Sequence, residues 1–375
     1  MCSVLVITRM SNLVLYRKYR PQAFGEIIGQ EHIVKTLTNA ISAGMISHAY
    51  LFSGPRGSGK TTIARLFAKA VNCQDKKNYE PCNKCSSCLE INQSRAMDLI
   101  EIDAASHRGI DEIRELKEGI RFLPSKLKYK VYIIDESHQI TKEAANALLK
   151  TLEEPPSHAI FILATTEVHK MIPTIISRCQ RFNFRRLQLP EIVKRLEIVA
   201  GKEKVKIEKP ALELIALNSG GSLRDAESLL DQVITFAGQT KEIKKEEIKE
   251  LLGIVDIVLI GQFLDFIIKK QAKEALLFLQ EKIEQGLDIQ EFTKQFVNYL
   301  RQGLILKINP DLTNPVISGL GSEEVEKLKK QIANFEEKEI QRILNLFIEA
   351  ENKLRYATIP QLPIELAIID SCGVV

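Results

Sequence analysis

A glycine-rich loop and four cysteines placed just after it constrain this chain more than any other feature. The loop reads Gly54-Pro55-Arg56-Gly57-Ser58-Gly59-Lys60-Thr61, and the cysteines are Cys73, Cys82, Cys85 and Cys88. A G-x-x-x-x-G-K-T pattern bends so that successive backbone N–H groups point at the phosphates of a nucleotide. Lys60 then reaches the β- and γ-phosphates, and the Thr61 hydroxyl takes one position on Mg²⁺. The apolar run Ala49-Tyr50-Leu51-Phe52 precedes the loop as a strand, and Ile63-Ala64-Arg65-Leu66-Phe67-Ala68 follows it as a helix. That strand–loop–helix context separates a phosphate loop from a chance match on a surface turn. The cysteines read C-x8-C-x2-C-x2-C, four soft thiolates suited to one tetrahedral Zn²⁺. Disulfides or unrelated buried thiols are the other readings. Seven cysteines in 375 residues, with no secretory segment ahead of them, argue against a disulfide framework. Cys2, Cys179 and Cys372 stand apart and read as small apolar residues.

A chain of 375 residues is expected to form two or three domains. Apolar residues make up 45%, enough for ordinary cores, and no run is long or uncharged enough to span a bilayer. The expected compartment is the cytoplasm, with no membrane partner. The formal charge of +4 is too mild to mark a nucleic-acid binder, so any DNA contact must come from a local patch. Residues 1–9 are apolar but shorter than a secretory segment and read as a start-site extension ahead of Met10.

From residue 48 to about 166, short apolar strands alternate with helical patterns, the signature of a parallel α/β sheet. Strands are predicted at His48–Ser53, Leu99–Asp103, Lys130–Asp135 and Ala159–Thr165, with helices at Asp111–Phe122 and Lys142–Leu152. Pro155-Pro156 ends the latter. Beyond about residue 187, strand-like runs vanish and amphipathic helices continue to the C-terminus, beginning with Pro190–Ala200, Pro210–Asn218 and Leu223–Phe236. The charged stretch 241–250 reads as a solvated helix face. The expected organisation is an α/β nucleotide-binding domain over 1–187 with its cysteine module at about 73–88, a helical lid over 188–253 and an all-α domain over 254–375.

Val131-Tyr132-Ile133-Ile134-Asp135-Glu136 is an apolar strand that ends in two carboxylates. At the C-terminal edge of a parallel sheet, beside the phosphate loop, Asp135 can hold the Mg²⁺ shell and Glu136 can polarise an attacking water. The next strand ends at Thr165-Thr166, where a hydroxyl could sense the γ-phosphate; a plain strand terminus is the other reading. Arg178, in Ser177-Arg178-Cys179, receives no role from spacing alone. Arg224 sits in the first turn of a capped helix, where a cation is disfavoured unless an anion offsets it.

Together these residues resemble the gamma/tau family of bacterial replicative clamp-loader ATPases, which are AAA+ proteins. The resemblance runs from about Val14 to Gly253. It includes Tyr16-Arg17-Lys18-Tyr19-Arg20-Pro21, the segment Asp98–Ser106 and the run Asn146–Pro156, and it is looser in the C-terminal third. It implies that Tyr16, Arg17, Arg20 and Pro21 pack around adenine, that Thr165 is sensor 1 and Arg224 sensor 2. Arg178 would be an arginine finger inserted into a neighbouring subunit's ATP site. It also implies an all-α oligomeric collar and a ring built from further copies of this chain with delta and delta-prime subunits. That ring would act on a sliding clamp and primer–template DNA. Arg108 and Arg114, around the helix that faces the family's central channel, are candidate DNA phosphate contacts, although Asp111, Glu112, Glu115 and Glu118 fit a solvated face equally. Ser137-His138-Gln139-Ile140 departs from the family's usual Val-His-Met-Leu while keeping His138. By the same resemblance, the chain is expected to carry the loader core without the polymerase-tethering tail of longer members. Any DNA-polymerase label would then belong to the holoenzyme, with ATP hydrolysis as this chain's own chemistry.

Two other functions compete. A non-catalytic delta-prime-like ring subunit shares the fold and the cysteines but has a degraded phosphate loop, whereas Lys60, Thr61, Asp135 and Glu136 are all present here. Another AAA+ DNA-remodelling motor would lack the four-cysteine insert.

Overall fold

The computed structural model describes residues 13–106, 119–120, 122–238, 242–253, 255–310, 322–333 and 335–373. The chain divides into two compact units, Met1–Ile243 and Lys244–Val375. The expected start extension, Arg108, Arg114 and residues 111–118 of the expected helix lie outside the described residues.

The first unit is built on five parallel strands: β1 (Ala49–Ser53), β2 (Leu99–Asp103), β3 (Lys130–Asp135), β4 (Ala159–Thr165) and β5 (Gln180–Asn183), in the order β2-β3-β4-β1-β5. Every residue of β1 and β4 is buried, as expected for central strands covered by helices on both faces. Their side chains alternate between two cores. Tyr50, Phe52, Ile160 and Ile162 pack with Ile63 and Phe67 of the Lys60–Asn72 helix, while Leu51, Phe161 and Leu163 pack with Leu148 and Leu152 of the Lys142–Glu153 helix. This sheet carries the carboxyl ends of β1, β3 and β4 to one edge, where open α/β sheets bind ligands.

Four of the five strands were expected. The exception is β5, in which only Phe182 is buried, so it carries no apolar run that sequence could reveal. A second correction concerns residues beyond 187, where no strand was expected. Lys206–Ile207 pairs in parallel with Glu242–Ile243, a bridge two residues long and too short to leave a periodic signal. The helices expected after 187 form as Leu189–Lys202, Lys209–Asn218 and Leu223–Ala237. In the charged stretch, Ile243 and Ile248 are buried and anchor it, and its helix begins only at Lys245.

The second unit is helical. Phe263, Phe292, Phe296 and Phe347 meet in its core, with Phe263–Phe292, Phe263–Phe296 and Phe296–Phe347 edge-to-face at 4.6–5.1 Å between centroids.

Candidate functional site

The loop after β1 turns on glycines that no other residue could replace without strain. Gly57 has φ +74° and lies so close to the lid that a Cβ would stand 1.9 Å from Ser222 Oγ. Ser222 caps the Leu223–Ala237 helix by accepting from the Asp225 amide, and the Leu223 amide donates to the Gly57 carbonyl at 3.3 Å. The lid helix therefore begins directly against the phosphate loop. Gly59, at φ +98°, leads into the Lys60–Asn72 helix, whose unpaired N-terminal amides form an anion site.

Lys60 is 6% exposed and donates to the Gly54 and Pro55 carbonyls at 2.8 and 2.9 Å. Burial pulls its pKa below the ordinary lysine value, while Glu136 and Asp135 act in the opposite sense. The Thr61 hydroxyl donates to Asp135 Oδ2 at 2.8 Å, so the loop and the end of β3 present adjacent oxygens to one point. Glu136 follows with φ +46°, its amide donating to Asp135 Oδ1 at 2.9 Å. That left-handed turn directs the two successive carboxylates into one cleft.

The cleft has a volume of about 570 Å³, and its wall includes Arg56–Thr61, Asp135, Glu136 and Arg224. Away from the phosphate loop it is lined by Tyr16, Arg17, Arg20 and Pro21. Arg224 lies over the Tyr16 ring, 4.8 Å from its centroid, and its hydrogen bond is the main influence lowering the Tyr16 pKa. The sequence did not single out Arg195 or Glu227, which also line this cleft. They form a buried ion pair at 2.8 Å between two lid helices, and Arg195 donates as well to the Tyr19 carbonyl. Burial pushes the Glu227 carboxyl above its ordinary pKa against the pull of Arg195. Losing one partner of such a pair costs about 3–5 kcal/mol, because the other charge is left buried alone.

Four expected residues lie off the cleft wall: Gly54 and Pro55, whose carbonyls accept from Lys60, and Thr165 and Arg178. Thr165 is fully buried, with its hydroxyl 3.0 Å from His138 Nδ1 and accepting from the Glu167 amide. Its neighbour Thr166 instead donates to Glu136 Oε2 at 3.0 Å. His138 links the same groups, with Nδ1 3.5 Å from Glu136 Oε2 and Nε2 3.3 Å from Glu167. Arg178 follows the short Pro173–Ile176 helix, pairs with Glu153 and donates to the Thr174 carbonyl at 2.8 Å.

The four cysteines converge. Cys73 caps the end of the phosphate-loop helix, while Cys85 and Cys88 open the Ser86–Asn92 helix. All four Sγ atoms lie within 4.8 Å of one another, and Cys82 and Cys88 are 3.9 Å apart. A tetrahedral Zn²⁺ with bonds of about 2.3 Å needs sulfurs about 3.8 Å apart, so this donor set fits the metal. Cys82 Sγ accepts from the Lys84 and Cys85 amides, which draws its pKa down to about 6 and favours the thiolate. Burial pushes the thiols of Cys73 and Cys88 up.

The order of the sheet, with a phosphate loop after β1 and a helical lid closing on that loop, is that of an AAA+ P-loop protein. Residues 29–188 match the family model described as the DNA polymerase III delta subunit. Residues 191–239 match the ATPase lid domain of the DNA polymerase III clamp loader subunit, and 243–374 match domain III of DNA polymerase III subunits gamma and tau. The chain is 44% identical over 363 residues to the DNA polymerase III subunit tau of Bacillus subtilis, covering 97% of this chain and 64% of that protein. It is 40% identical over 301 residues to the tau subunit of Escherichia coli, covering 80% and 46%. With the DNA polymerase III subunit gamma of Buchnera aphidicola it shares 35% identity across 96% of this chain and 98% of that one. The chain belongs to the DNA polymerase III gamma/tau family. It spans about half to two thirds of the length of the two tau relatives. No helix among the described residues is long and apolar enough to cross a membrane.

Proposed function

We propose that this chain is the ATP-hydrolysing motor subunit of a bacterial replicative clamp loader, acting in the cytoplasm within the DNA polymerase III holoenzyme. The observation that carries this reading is the Thr61–Asp135 hydrogen bond beside Glu136, next to a complete phosphate loop. Lys60 leaves its two loop carbonyls to bind the β- and γ-phosphates of ATP, and Thr61 with Asp135 would hold a Mg²⁺ ion, which would supply charge neutralisation at those phosphates. Glu136, oriented by Thr166 and His138, accepts a hydrogen bond from the attacking water and polarises it. Arg224 and the loop amides at Gly54–Gly59 stabilise charge on the transferring phosphoryl group. Tyr16, Arg17, Arg20 and Pro21 enclose the base, and the Thr165–His138 contact lets sensor 1 act through the carboxylate it neighbours.

Arg178, held off its own cleft by Glu153, completes a neighbouring subunit's site in a ring of further copies with delta and delta-prime. Cys73, Cys82, Cys85 and Cys88 would hold one structural Zn²⁺, since four thiolates would leave no open position for catalysis. Loading acts on a sliding clamp at primer–template DNA, gripped through its phosphates, with Arg108 and Arg114 as contacts.

ATP turnover of the reconstituted ring, measured with and without clamp and primed DNA, tests the reading. The expected result is hydrolysis stimulated by both together. No hydrolysis under any condition would point to a non-catalytic ring subunit. Hydrolysis indifferent to clamp and primer would point to a different DNA motor.

A further inference from the structure

The cysteine insert touches more than its own sulfurs. Glu80, between Cys73 and Cys82, accepts two successive backbone amides with its two carboxylate oxygens, Phe24 at Oε2 and Gly25 at Oε1, both at 2.9 Å. Asn83, beside Cys82, donates from Nδ2 to the Gln22 carbonyl at 3.1 Å. Beneath these contacts lies Lys69, on the same helix as Lys60 and only 2% exposed. Its ammonium has three donors, and they reach three side-chain oxygens: Gln22 Oε1 at 2.8 Å, Asn83 Oδ1 at 2.7 Å and Asn92 Oδ1 at 2.9 Å. One buried cation thus joins the phosphate-loop helix, the insert and the segment after Pro21.

That segment borders the cleft. Arg20 and Pro21 line it on one side of Gln22–Gly25, and Glu26, Ile27 and Ile28 line it on the other. The backbone held by Glu80 is therefore the outer support of the wall opposite the phosphate loop. An exposed loop left to itself would sample many conformations, and fixing each residue costs about 1–2 kcal/mol. Here Phe24, 2% exposed in the core beside the sheet, and the two bonds to Glu80 fix it together. Burial works against the Lys69 charge, while Cys88, Glu26, Glu80 and Cys73 favour it, and its hydrogen bonds all go to amide oxygens. Its three bonds reach two segments that no local sequence signal connects.

We infer that the four-cysteine insert is a strut for the nucleotide cleft, with Lys69 and Glu80 as positioning residues that set affinity for the base-and-sugar end of the ligand. Neither residue reaches the phosphates, so their effect falls on adenosine recognition and leaves triphosphate binding at the loop alone. The inference rests on reading this cleft as an ATP site.

The test measures dissociation constants by calorimetry for ATP, ADP and inorganic triphosphate on the full chain, in the wild type and in Glu80→Ala and Lys69→Met. Glu80→Ala should weaken ATP and ADP about tenfold, the loss expected when hydrogen bonds to a charged group are removed, with triphosphate binding unchanged. In steady state its KM for ATP should rise while kcat stays within about twofold, since the reacting end is untouched. Lys69→Met should show the same pattern more strongly. If it fails to fold, the partly exposed Glu80 decides the matter alone. Unchanged ATP and ADP affinity in a folded Glu80→Ala protein would overturn the inference and leave the ATP assignment standing. Equal loss for triphosphate and ATP would overturn it too, because the effect would then be general destabilisation. A wild type that binds no ATP would overturn both readings together.

Discussion

The cleft and the Arg178 edge carry their positive charges in opposite ways. Lys60 is buried and satisfied by carbonyls of its own loop, so it stands where a phosphate displaces nothing but two hydrogen bonds. Arg178 is about one-third exposed, lies outside the cleft wall and is held by Glu153 and the Thr174 carbonyl. A cation needed for substrate binding has to be present in the isolated subunit. A cation needed only as charge spreads in the transition state can come from elsewhere, and its absence until assembly ties turnover to the ring. Under the proposed function, the comparison means that this chain carries its own binding site and takes its arginine finger from a neighbour.

The largest effect belongs to the first region. Lys60→Ala should abolish measurable ATP binding by titration, because it removes the side-chain cation that faces the phosphates. Retained wild-type affinity would break the comparison at its start. The next effect belongs to the second region. Arg178→Ala should leave ATP affinity intact while hydrolysis by the assembled ring falls by about 10³–10⁵, the usual worth of an arginine finger. Mixing it with Lys60→Ala should restore some turnover, since a mixed ring can set an intact loop against an intact finger. No recovery in rings proven to be mixed would return Arg178 to its own subunit.

Glu136→Gln should slow turnover by about 10²–10⁴ with ATP affinity nearly unchanged, as expected for loss of a group acting on the water alone. Parallel loss of binding, seen in the same titration, would make Glu136 structural. Thr166→Val should cost about tenfold in turnover by freeing the Glu136 carboxylate. A larger loss from Thr165→Val would place sensing at the buried hydroxyl instead. The smallest effect on chemistry concerns the metal. Elemental analysis should find one zinc per chain, lost on substituting Cys82 or Cys88 with serine, and well below one equivalent in the native chain would contradict the assignment.

Most of the phosphate end was legible in the sequence because its chemistry is consecutive. Gly54–Thr61 and Asp135-Glu136 each lie on one turn, so spacing along the chain is spacing in the site. The cysteines were legible for the same reason. β5 was not, because Gln180, Arg181 and Asn183 present no apolar alternation while pairing with β1. The Arg195–Glu227 pair was hidden as well, since its members sit on separate lid helices and look like surface charges in any local window. Choosing between adjacent threonines required side-chain direction. Strand geometry sends Thr165 inward to His138 and leaves Thr166 to meet Glu136.

Sequence by itself determined the α/β class, the phosphate loop, the paired carboxylates and the metal-type cysteine set, because each rests on local periodicity or on residues a few positions apart. Tertiary structure decided which of those groups share a cleft. It set Arg178 against Glu153, off the cleft wall, and drew Lys69, Glu80 and Gln22 together from segments up to 58 residues apart. Burial is the physical reason. An ammonium enclosed among three amide oxygens is determined by which segments pack around it, and packing among distant segments leaves no period in the chain.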